Sequence, residues 1–180
     1  AIRLRDGTAM VVDFMGREIR EYDVDWNLLR RWDTPFQPRG AHRLSDGRTA
    51  VLGMSRLQVF DANRAPVRAA SFSGRSNFTG SAYFGGDRIV ATCNDSGTIR
   101  EMDLSGDVKW ALIVENYPRS VQVLDSGQLV VADFRQAAIY SHDGTVAWRH
   151  VLDRVGSADQ LPSGNVLLGH ADGLLIVNRS

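Results

Sequence analysis

One spacing governs the whole chain. A glycine closing a tight turn after a short apolar strand recurs at Gly7, Gly47, Gly86, Gly127 and Gly164, at intervals of 40, 39, 41 and 37 residues. The apolar residue anchoring the end of that strand recurs with it, as Leu4, Leu44, Phe84, Leu124 and Leu161. Three positions earlier stand Ala1, Ala41, Ser81, Val121 and Ala158. Third-strand segments follow at 18–22, 57–60, 98–102, 138–140 and 174–177, most of them running into an Asp or Asn. Five copies agreeing in spacing and character define a repeat protein. One copy cannot bury both of its faces, so the copies must stack.

Residues 120–151 show what one copy contains. A strand at 120–124 is closed by Asp125-Ser126-Gly127. Leu129-Val130-Val131-Ala132 is too short an apolar run for a helix and is bounded by turn residues, so it reads as a buried strand. A third strand at 137–141 ends at His142-Asp143-Gly144, a hairpin turn in which glycine supplies positive φ. Residues 145–151 alternate apolar and polar and form the fourth strand, completing an antiparallel meander. The units fall at 1–33, 40–72, 80–112, 119–151 and 157–180, joined by linkers of similar length, so 1–180 reads as one domain. The fifth unit stops after its third strand, and Ala1 already belongs to a first strand, leaving no spare strand to complete it. The expectation is a three-stranded last sheet, a piece of a longer structure whose gene product begins upstream, or a strand supplied by a partner.

Composition narrows the partners. Twenty-one basic and 21 acidic residues cancel, so no global field attracts nucleic acid or an anionic membrane. No apolar run approaches the roughly 20 residues of a membrane span. No window carries a 3.6-residue apolar period, so almost no helix is expected. The single cysteine, Cys93, excludes a disulfide within the chain and reads as a small apolar strand residue; the compartment stays open. Asp23-Val24-Asp25-Trp26-Asn27 opens like a calcium loop but lacks the glycine and distal glutamate, so it reads as a polar turn.

Three segments carry a family resemblance: Leu161-Pro162-Ser163-Gly164-Asn165-Val166-Leu167-Leu168, the run Val130-Val131-Ala132-Asp133 leading to Ile139-Tyr140, and Asp143-Gly144-Thr145-Val146-Ala147-Trp148, echoed by Ser105-Gly106-Asp107-Val108-Lys109-Trp110. On these the units resemble β-propeller blades of the quinoprotein-like and NHL-like superfamily. The resemblance implies an all-β propeller of four-stranded antiparallel blades, about five of them. The Gly-x-x-x-Trp ending is similar to that of pyrroloquinoline-quinone-type repeats, where the tryptophan packs between blades. It therefore implies packing for Trp110 and Trp148, and no cofactor. Trp26 and Trp32 read as packing residues too. WD repeats fit less well, since no Gly-His…Trp-Asp pairing recurs. Ala41-His42-Arg43-Leu44-Ser45-Asp46-Gly47 is also similar to a strand of bacterial arylsulfotransferase-like proteins.

In radially packed blades, ligands bind on the face formed by the loops between second and third strands and by the linkers. Three columns of residues reach that region. The first strands offer Ile2, His42, Ala82, Gln122 and Asp159; the positions before them offer Arg39, Thr79, Arg119 and Gly156; the exits of the second strands offer Asp13, Gly53, Thr92, Asp133 and His170. Candidate ligand-binding residues are therefore Arg39, His42, Arg119, Gln122, Asp159 and His170. Each also has a structural reading. Arg39 and Arg119 follow prolines and suit ion pairs or an anion clamp; His42 suits a hydrogen-bonded channel residue or a general base; Asp13 and Asp133 suit bonds to backbone amides. His142 sits on a turn facing solvent, and His150 and His170 form no metal pair by spacing, so no metal is expected. Nucleophile elbow, phosphate-cradling glycine loop and zincin motif are all missing from the sequence. The expected function is a binding or assembly module presenting its loop face, or the open edge of its last blade, to a protein, a glycan or another copy. The alternative is a propeller transferase, lyase or hydrolase with His42 as base and Arg39 and Arg119 holding an anionic substrate.

Overall fold

The computed structural model describes residues 2–4, 6–72, 78–85 and 87–179. Among them there is no helix, and so none long and apolar enough to cross a membrane. The strands form five antiparallel sheets arranged as propeller blades. The first blade is β1 (Ile2–Arg3), β2 (Ala9–Asp13), β3 (Glu18–Tyr22) and β4 (Leu28–Asp33). The second is β5 (Pro38–Arg43), β6 (Thr49–Gly53), β7 (Arg56–Phe60) and β8 (Pro66–Ser71). The third is β9 (Phe78–Gly85), β10 (Arg88–Cys93), β11 (Thr98–Asp103) and β12 (Val108–Ile113). The fourth is β13 (Ser120–Val123), β14 (Leu129–Ala132), β15 (Gln136–Tyr140) and β16 (Val146–Val151). The fifth has three strands, β17 (Val155–Gln160), β18 (Val166–His170) and β19 (Gly173–Val177). Each blade is a plain meander, and β5, β9, β13 and β17 touch in succession around the axis.

Local chemistry sets the turns. Between first and second strands, Leu4 N–H donates to Thr8 O and Gly7 N–H to Leu4 O, and the same pair recurs around Gly47, Gly127 and Gly164. Those four glycines have φ of 79 to 86°, a region that side chains rarely adopt. In the corresponding turn of the third blade Asp87 has positive φ, at 60°, 40 residues from both Gly47 and Gly127. Gly86, the turn residue that the spacing gives for this blade, lies outside the described residues. Between third and fourth strands, Asp23, Asp61 and Asp103 each accept backbone N–H groups from two and four residues on with Oδ1. Residues 23–27 are thus an Asx turn, as the missing calcium ligands suggest.

Each blade has a leading face toward the next blade and a trailing face toward the previous one. Met10 and Ile19 of the first blade pack on Ala41, Val51 and Phe60 of the second. Ala50, Leu52, Leu57 and Val59 pack on Ile89, Ala91, Cys93 and Met102. Val90 and Ile99 pack on Leu129, Val131, Ala138 and Tyr140. Val130, Ala132, Ala137 and Ile139 pack on Val155, Ala158, Val166 and Leu168. These four seams are the hydrophobic core, and each repeats one pattern. The period-two alternation of every strand is what divides its residues between the two seams. Trp32, Trp110 and Trp148 pack against this core, as expected. Trp26 does not: it sits in its turn at φ 63° and is exposed, its ring tilted against Tyr22.

Candidate functional site

Two kinds of surface stand out: an uncovered blade face and a charged cavity. The uncovered face belongs to the fifth blade. At the third-strand position where Ile19, Leu57, Ile99 and Ala137 are 0–1% exposed, Leu174 is 77% exposed, and two residues on Ile176 is 59% exposed. Among the described residues no hydrophobic cluster joins this face to the first blade. The trailing face of the first blade, with Val11 and Tyr22, is likewise only partly covered. β19 also lacks the fourth-strand partner that β3, β7, β11 and β15 have.

The cavity, about 610 Å³, lies between the first and second blades. It opens at the end carrying the turns after first and third strands, opposite the face on which the sequence reading placed a ligand. Glu21, on β3, is buried there and meets three guanidinium groups. Arg30, its register partner on β4, forms an ion pair with it, Nε lying 2.8 Å from Oε2. Arg43 reaches from β5 with Nη2 to Oε1. Arg64, in the turn between β7 and β8, reaches both oxygens with Nη2, at 3.1 and 3.2 Å. Arg64 is held firmly: it adopts φ 71°, donates Nη1 to Ala62 O at 2.7 Å, and lies 4.7 Å above the Trp32 ring. Desolvation lowers the pKa of both Arg43 and Arg64, and the mutual repulsion of the cations adds to it.

Of the six candidates from the sequence, His42 alone lines this cavity. It is buried, and desolvation lowers its pKa to about 4, so it is neutral at pH 7. Arg39 and Arg119 lie at the opposite end, where they stack on phenylalanines of neighbouring loops, Phe14 at 4.2 Å and Phe134 at 5.3 Å. Gln122 joins two blades: its Oε1 accepts from Gln160 N–H at 2.6 Å. Asp159, on the inner strand β17, reaches solvent, yet partial desolvation raises its pKa. His170 ends β18, where Nδ1 accepts from Asp172 N–H at 3.3 Å. His142 is exposed, as expected, and stacks on Trp110 at 4.6 Å. Asp13 and Asp133 hold backbone amides of their loops, as the sequence suggests.

Glu21, Arg30, Arg43 and Arg64 were not singled out in the sequence. One signal could have found Glu21: it occupies a third-strand position where the second, fourth and fifth blades carry Val59, Ile139 and Ile176.

No protein-family model and no curated protein matches the sequence. Solved structures do match. The WD40 beta-propeller domain of Doa1 superposes with a TM-score of 0.83 at 17% identity, over 98% of this chain and 62% of that one. A streptogramin B lyase gives 0.74 at 10% identity, over 97% and 66%. Virginiamycin B lyase from Staphylococcus aureus gives 0.74 at 9%, over 98% and 68%. The chain thus spans about two thirds of the length of these propellers. At such identities the likeness establishes the β-propeller fold and carries no activity with it.

Proposed function

We propose that the chain is a binding and assembly module whose contact surface is the uncovered leading face of the fifth blade. The exposure of Leu174, at a position sealed in every other blade, carries this reading. What fits the face is another sheet of the same kind. Each covered seam sets a leading face against a small or branched residue of the next second strand (Val51, Ala91, Val131 or Leu168) beside Phe60, Met102, Tyr140 or Val177 of the third. The first blade offers the same pattern in Val11 and Tyr22, so the two ends of the chain are complementary. A neighbouring copy, or the further blades of a longer ring, would satisfy the seam. The second source accords with the greater length of the similar propellers.

Membership of the quinoprotein-like and NHL-like superfamily is part of this proposal and rests on the sequence segments quoted above. The enzyme alternative has less support. His42 would be a weak base with its lowered pKa, and Arg39 and Arg119 do not line its cavity. Light scattering coupled to size exclusion tests the assembly reading. The chain should run heavier than a monomer, and the double substitution Leu174→Glu, Ile176→Glu should return it to monomer with its strand content by circular dichroism unchanged. A wild-type chain that stays monomeric at high concentration would remove the reading.

A further inference from the structure

The cavity between the first two blades holds more positive charge than the fold has use for, and we infer that it binds an aliphatic carboxylate. Three guanidinium groups share its walls with two carboxylates, Glu21 and Asp6, an excess of one positive charge. Nothing in the blade architecture requires this. At the position of Glu21 the second, fourth and fifth blades place Val59, Ile139 and Ile176. The third blade places Glu101, which meets a single arginine, Arg88, at 2.6 Å. Arg43 and Arg64 come from separate elements of the second blade, so their convergence on the first blade's glutamate is a property of this seam alone.

The site is built to receive an anion. Arg64 is fixed by its backbone bond and by Trp32, so little ordering remains to be done on binding. Arg30 meets Glu21 through Nε, and among the described residues its two Nη groups meet no acceptor, which leaves them for a ligand at the cavity wall. A planar carboxylate matches that fork, and a further negative charge would relieve the repulsion among the three cations. The rest of the ligand follows from the walls. Leu4, Leu29, Leu44 and Ala62 line the cavity, whose volume is that of ordinary small-molecule sites, about 300–1,000 Å³. Neutral His42 adds no charge. Asp6 at the wall, bonded to Thr8, favours a monoanion over a phosphate dianion.

Calorimetric titration with octanoate, inorganic phosphate and octanol tests the assignment. Octanoate should bind saturably at one site per chain. Arg30→Gln should weaken it at least tenfold, whereas Arg88→Gln, which removes the arginine of the third blade's pair, should leave it unchanged. Circular dichroism checks that both variants fold. The Leu174→Glu, Ile176→Glu variant should bind octanoate normally, so that failure of this site and failure of the assembly reading are told apart. Saturable binding of phosphate but not octanoate, equal binding of octanol, an unaltered affinity in Arg30→Gln, or no saturable binding at all would each overturn the proposal.

Discussion

A Cβ placed on Gly80 would stand 2.5 Å from the carbonyl oxygen of Arg119, so the inner strands of the third and fourth blades meet as closely as glycine permits. The contact is reinforced by Thr79, whose hydroxyl donates to Pro118 O at 2.8 Å. The obstacle is backbone, which cannot swing aside as a side chain can. Gly80→Ala should therefore destabilise the fold by about 1–3 kcal/mol. Gly156→Ala, where the nearest atom would be 3.6 Å away, should be close to neutral. Urea denaturation of the two variants makes the comparison; equal midpoints would show that the seam yields.

The sealed and open faces predict unequal costs for the same chemical change. Leu57 is buried between the second and third blades, and Leu57→Ala should cost about 2–5 kcal/mol. Leu174 occupies the matching place in the fifth blade and stands open. Leu174→Ala should cost less than about 1 kcal/mol in a dilute, monomeric sample. A cost for Leu174 approaching that of Leu57 would mean that its face is covered in solution, which light scattering on the same sample would attribute to another copy or not.

The buried imidazole of His42 makes stability depend on pH. Its folded pKa, about 4, lies below the ordinary 6.5 of the unfolded chain. Between those values the unfolded state binds more protons, so stability is fully present above about pH 6.5 and falls as pH drops toward 4. The loss attributable to this one group is up to about 3 kcal/mol. His42→Gln should flatten the stability profile between pH 6.5 and 4 relative to wild type, whatever its effect at pH 7. Parallel profiles would mean that His42 is protonated in the fold.

Much of this architecture is legible in the sequence because it rests on local chemistry. Asp61 and Asp103 announce their turns by capping backbone amides a few residues on, and Gly47 and Gly127 announce theirs by needing positive φ. The arginine cluster is not legible. Glu21 lies 22 residues from Arg43 and 43 from Arg64, and only the seam brings them together. Arg39 and Arg119 look like anion ligands from their columns, but each lies over a phenylalanine that a loop delivers beside it.

Gln122 illustrates the same competition and allows a decisive measurement. The sequence places it near the axis with a ligand in view; the structure uses it to join blades. Its Oε1 accepts from Gln160 N–H at 2.6 Å, while Ser120 Oγ accepts from Ala158 N–H at 3.2 Å, so two side chains of β13 stand in for the sheet partner that β17 lacks on that side. Each bond is worth about 0.5–1.5 kcal/mol, and the fifth blade, open on its far face, is held by these bonds and by a single apolar seam. In the double variant Ser120→Ala, Gln122→Ala, amide exchange at Ala158 and Gln160 should quicken at least tenfold while the seam between the second and third blades keeps its protection. If exchange in β17 is unchanged, the bonds do not hold the blade, and Gln122 is free to serve the ligand that its column first suggested.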